Sequence, residues 1–94
     1  SEMIDAAVKA LSAKLSGGFD GVAKFVIPGE GAIMLDGQGV RAGDDEADVT
    51  LTAEADVFRA ILDGEMNPTM AFMTGKLSVD GNMGLAMKLG AVLG

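Results

Sequence analysis

The segment 64–94 constrains the fold most, because glycines cut it into pieces too short for anything but a compact helix–strand–helix unit. Gly64 ends one helical pattern, and Asn67-Pro68 starts the next with a good N-cap and a proline at the first helical position. This short helix presents Met70, Phe72 and Met73. After a Gly75 turn, residues 76–80 alternate as a strand with Leu77 and Val79 pointing one way, and Gly81 breaks it. Asn82 is placed to cap a last helix, in which Leu85, Leu89 and Val92 recur at i, i+4, i+7 with Ala86 and Leu93 beside them. Five of the seven methionines fall in this stretch. Methionine at helical spacing is ordinarily core filler, but an apolar, Met-rich surface also suits soft contacts with a greasy ligand better than bond-making chemistry.

Upstream, Ile4, Val8, Leu11 and Leu15 form one apolar helical face that ends at Gly17-Gly18. Its acids (Glu2, Asp5) and bases (Lys9, Lys14) balance, which favours packing on a core over lying on lipid. Residues 21–27 alternate as a strand, 28–31 turn, and 32–36 form a second strand with Ile33 and Leu35 on one side. Asp36-Gly37 is a tight-hairpin signal leading to a short third strand over 38–42. A polar loop, 43–48, precedes a fourth strand in which Val49 and Leu51 alternate with Thr50 and Thr52. Thr52 is a candidate cap for a helix over 55–63 with Val57, Phe58, Ile61 and Leu62 as its apolar stripe. One sheet with helices on one face is the natural packing for this order, an α/β (α+β) domain spanning 1–94.

Composition removes most chemistry. There is no Cys, His, Tyr or Trp, so no disulfide, no thiolate site and no Ser/His/Asp or Cys/His catalysis within the chain. The glycine pairs 29/31 and 37/39 continue into no phosphate-binding motif and open no helix. Asp44, Asp45, Glu46 and Asp48 lack the spacing of an EF-hand and read as a solvated turn. Asp36, Asp63 and Asp80 sit beside glycines at turn positions, and with Glu65 they make no recognisable acid/base pair. Neither a catalytic residue nor a metal or cofactor site is expected. A net charge of −7 disfavours nucleic acid and anionic membrane through long-range repulsion. No run approaches the ~18 apolar residues of a membrane span. No secretory leader or peroxisomal C-terminal address is visible, so a cytoplasmic, stand-alone domain is the expectation.

The order and spacing of Asn67-Pro68, Ala71-Phe72-Met73-Thr74-Gly75-Lys76-Leu77, Asp80-Gly81-Asn82-Met83 and Leu85-Ala86-Met87-Lys88-Leu89 resemble the sterol carrier protein-2 (SCP2) family of lipid-transfer domains. Looser agreement over the 21–27 and 48–52 strands and residues 58–64 extends the resemblance over nearly the whole chain. It implies a five-stranded, mostly antiparallel sheet in spatial order 3-2-1-4-5, with helices on one face. It also implies a hydrophobic tunnel for sterols, fatty acyl chains or other lipids.

Apolar stripes and that tunnel placement together give an expected ligand lining of Phe58, Ile61, Leu62, Met70, Met73, Leu77, Leu85, Leu89 and Val92, with the C-terminal helix as lid. The expected partner is a lipid (sterol, fatty acid, acyl-CoA or phospholipid), with at most transient membrane contact and no nucleic acid. A chain that is 49% hydrophobic has more apolar helix surface than one sheet face can use. A homodimer or protein-interaction module using the same surface is therefore the alternative.

Overall fold

The computed structural model describes residues 1–93. Within them run α1 (Glu2–Lys14), β1 (Ala23–Ile27), β2 (Gly31–Asp36), β3 (Gly39–Ala42), β4 (Val49–Ala53), α2 (Ala55–Leu62), α3 (Pro68–Met73), β5 (Leu77–Gly81) and α4 (Met83–Leu93). The strands form one open sheet in the order β3-β2-β1-β4-β5. The β1–β2, β2–β3 and β4–β5 pairings are antiparallel, while β1 and β4 run parallel at its centre.

Strand alternation divides the sheet into two unlike faces. Ala23 and Phe25 of β1 lie in register with Leu35 and Ile33 of β2 and with Val49 and Leu51 of β4, and Ile27 follows opposite Gly31. Leu51 in turn faces Val79, and Ala53 faces Leu77. This face joins Ile4, Ala7 and Leu11 of α1, Phe58 and Ile61 of α2, Ala71 of α3, and Ala86, Leu89 and Leu93 of α4 in one continuous core. The opposite face carries Lys24, Thr50 and Thr52, all half-buried. Met34 on that face is buried under the acidic loop, with its Cγ 3.2 Å from where a Cβ on Gly43 would sit. A 2.9 Å Lys24–Asp44 ion pair tethers the same loop.

Local caps follow the sequence signals except at one point. The Ser1 side chain caps α1, and the Asn67 side chain accepts from the N–H groups of Thr69 and Met70 at α3. Asn82 Oδ1 accepts from Leu85 N–H at α4. Thr52 does not cap α2: β4 continues through Ala53, and Glu54 takes the N-cap position without a side-chain cap bond. The parallel pairing of Thr52 with Val26 holds that residue in the ladder. In the β2–β3 hairpin, Asp36 accepts from the N–H of Gln38 and pairs with Arg41 at 2.9 Å, which together hold its carboxyl below the usual 3.8.

Gly81 is more than a strand break. It closes β5 opposite Val49 with φ +108°, and a Cβ there would collide with the carbonyl oxygen of Asp48. That oxygen also accepts the Asn82 N–H at 2.9 Å. Gly81→Ala is therefore expected to destabilise the domain by about 3 kcal/mol, combining the positive-φ penalty with a backbone clash. A urea melt checks this, and a midpoint within error of the parent would contradict it.

Candidate functional site

Between the core face of the sheet and the pair α3/α4 lies a cavity of about 610 Å³. Phe25, Leu51, Leu77 and Val79 make its floor, and Ile61 of α2 closes one side. Asn67, Pro68, Thr69, Phe72 and Met73 form the α3 wall; Met83, Ala86, Met87, Gly90, Ala91 and Leu93 form the α4 wall. Among these described lining residues none is charged, and Asn67 and Thr69 are the polar ones. The volume lies within the ~300–1,000 Å³ typical of small-molecule pockets.

The sequence explains the shape. Met83, Met87, Gly90 and Ala91 recur at i, i+4, i+7 and i+8, one helical face. On that face Gly90 has no neighbouring heavy atom within 4 Å of a would-be Cβ. Gly90 and Ala91 are too small to fill the space between α4 and the sheet, and it stays open. The floor is firm: Phe25 packs on Phe58 with ring centroids 4.8 Å apart, and both are fully buried. The rim is soft and open, with Met73 and Met87 exposed by 72% and 73%, and Phe72 and Met83 also exposed.

Three of the nine residues expected from sequence, Ile61, Met73 and Leu77, line this cavity. The other six lie elsewhere. Phe58 is behind the floor, under Phe25. Leu62 borders a second cleft of about 170 Å³ between α1 and α2. Met70 and Val92 are exposed outside the lining. Leu85 is half-buried against Gly21, and Leu89 is sealed in the core at 0% exposure. The buried stripe of α4 is thus Ala86, Leu89 and Leu93 rather than Leu85, Leu89 and Val92. That helix is apolar nearly all round, so its periodicity fits several faces equally well. Phe25 and Leu51 went unrecognised because alternation marks the inward side of a strand, not which inward residues a helix leaves uncovered. The Met83/Met87/Gly90/Ala91 stripe was available in the sequence and is the signal that finds the site.

Comparison with known proteins matches this architecture. The sequence model described as the SCP-2 sterol transfer family matches residues 3–94. A hydroxysteroid dehydrogenase-like protein 2 from Xenopus tropicalis is 43% identical over 79% of this chain but 20% of its own length. Human sterol carrier protein 2 is 54% identical over 49% of this chain and 8% of its own length. The chain thus spans a fifth or less of these relatives. The solution structure of Aedes aegypti sterol carrier protein-2 in complex with palmitate has a TM-score of 0.80 at 26% identity, covering 99% of this chain and 96% of that one. The Aedes aegypti sterol carrier protein 2-like 2 crystal structure also scores 0.80, at 23% identity over 97% of this chain and 96% of that one.

Proposed function

The chain belongs to the SCP-2 sterol transfer family, and from that premise we propose that it binds one long-chain lipid in the cavity between α3, α4 and the sheet, without catalysis. The uncharged, open cavity of about 610 Å³ carries this reading. Each buried methylene contributes about 0.8 kcal/mol. About ten of them reach the roughly −8 kcal/mol of micromolar affinity, and the cost of ordering the ligand raises the number needed. A ligand of fatty acyl or sterol size is therefore the class that fits. With Asn67 and Thr69 as the polar side chains on the walls, selectivity comes from length and girth more than from a head group. The exposed methionines let the mouth repack around different chains. Palmitate in the Aedes aegypti relative is a precedent for the acyl class. Cytoplasmic residence and exchange of the lipid between donors and acceptors belong to the same proposal.

The proposal of a non-catalytic role rests on the uncharged walls and on a chain without His or Cys. A fluorescent fatty acyl probe is expected to titrate the protein saturably at micromolar or tighter Kd, displaced by unlabelled fatty acid or sterol and recovered unchanged. No saturable binding to sterol, fatty acid, acyl-CoA or phospholipid would contradict the proposal, as would turnover of any of them.

A further inference from the structure

The chain holds no Cys, Trp, Tyr or His, so its thioethers are the side chains that give up electrons most readily. There are seven, and the fold sorts them. Met34 is buried. Met3 and Met66 are half-buried, and the Met3 sulfur accepts from Arg59 Nη2 at 3.5 Å, which draws on the lone pair that an oxidant needs. Met70, Met73, Met83 and Met87 are exposed. Three of these four line the cavity: Met73 on the α3 wall, and Met83 and Met87 on the α4 wall. The most oxidisable surface of the molecule thus coincides with the mouth of its apolar site.

We propose that Met73, Met83 and Met87 form an oxidation site, through which a hydroperoxide closes the cavity to lipid and a sulfoxide reductase reopens it; the proposal rests on the lipid-binding reading of the same cavity. The step is a two-electron oxygen transfer. A thioether lone pair attacks the outer oxygen of the hydroperoxide as its O–O bond breaks. The sulfur gains that oxygen and is oxidised to the sulfoxide. The hydroperoxide is reduced, and the proton of the transferred oxygen leaves on the other oxygen, as water or as an alcohol. Methionine sulfoxide reductases reverse the change, one enzyme for each epimer.

A sulfoxide is polar where the thioether was apolar. In the ligand-free protein it faces water at the open rim and costs the fold little. Against an acyl chain it must shed that water, and the described walls carry no charged donor, only the side chains of Asn67 and Thr69. Oxidation therefore weakens lipid binding without unfolding the domain. A bound chain covers the same three sulfurs in turn, so occupancy protects them. Met70, exposed but outside the lining, stays open to the oxidant and serves as an internal control.

The test treats ligand-free protein with hydrogen peroxide, follows each methionine by peptide mass and titrates the acyl probe at each stage. Met70, Met73, Met83 and Met87 should oxidise ahead of Met3, Met34 and Met66. Probe Kd should rise about 10-fold, the scale of desolvating one unpartnered polar group, with the circular dichroism spectrum unchanged. Treatment with both sulfoxide reductases should restore it. With palmitate bound, Met70 should oxidise at its ligand-free rate and Met73, Met83 and Met87 more slowly. The triple change Met73→Leu, Met83→Leu and Met87→Leu is close to volume-conserving. Its own affinity, whatever the starting value, should not move with peroxide, whereas Met70→Leu should stay sensitive. Reductase rescue of the parent keeps the test decisive if the triple variant misfolds. Oxidised parent that binds probe as before, a loss that the reductases do not reverse, or no protection by palmitate would overturn the oxidation site alone. Parent protein that binds no probe before oxidation would remove the lipid-binding reading, and the oxidation site with it.

Discussion

Replacing Gly90 with leucine is expected to weaken lipid binding about 100-fold while making the fold more stable. Gly90 sits on the cavity wall in the middle of the α4 stripe, with open space where a side chain would go. Its φ is outside the left-handed region, so a substitution introduces no backbone strain. A leucine side chain projects into the cavity and displaces about four methylenes of ligand, each worth about 0.8 kcal/mol. A loss near 3 kcal/mol is about 100-fold in Kd. In the ligand-free protein the same change removes a helix-interior glycine, which is worth up to about 1 kcal/mol of stability. Probe titration beside a urea melt reads both effects. A variant that binds as the parent does would move the ligand out of this cavity. One that loses binding only because it unfolds would show that α4 has no space beneath it.

Leu89→Glu, one residue away, is expected to do the opposite and unfold the domain. Leu89 is fully buried among the core residues of the sheet and does not line the cavity. Among the described residues the buried set holds no polar or charged side chain, so nothing there would pair with a carboxylate. An unpaired charge in such a place costs more than about 4 kcal/mol. That consumes most of the ~5–15 kcal/mol that holds a small domain together. Circular dichroism should show little cooperative melting at neutral pH. A folded Leu89→Glu protein that has lost only its lipid would instead return Leu89 to the cavity wall, where the apolar stripe and the tunnel implied by the family resemblance together placed it.

The contrast between these neighbours shows how far the sequence could be read. Elements were legible wherever two independent signals agreed. Asn67-Pro68 marks the start of α3 by both cap and proline, and alternation through Val49–Thr52 marks β4. Where one signal stood alone it misplaced detail: Thr52 is a good cap residue, yet ladder pairing carries β4 past it. The strand order followed from resemblance, because nothing in the alternation of β1 says that β4 will lie parallel beside it. The site was the least legible part. A cavity is defined by what fails to fill it, and the residues that make this one are small: Gly90, Ala86 and Ala91. Hydrophobic periodicity weights large side chains, so it led to Leu85, Leu89 and Val92, which belong to core or surface. Ile61 and Leu77 line the space as large, buried side chains, and Met73 lines it from the exposed rim.

The methionines offer the most direct measurement of where lipid sits. Met73, Met83 and Met87 line the cavity. Met34 is buried beneath the acidic loop on the far face of the sheet, and Met3 borders the cleft between α1 and α2. Methyl-labelled protein titrated with palmitate is expected to shift the methyl resonances of Met73, Met83 and Met87 saturably, with Met3 and Met34 unmoved. Shifts centred on Met3, or none at saturating palmitate, would contradict a lipid site between α3, α4 and the sheet.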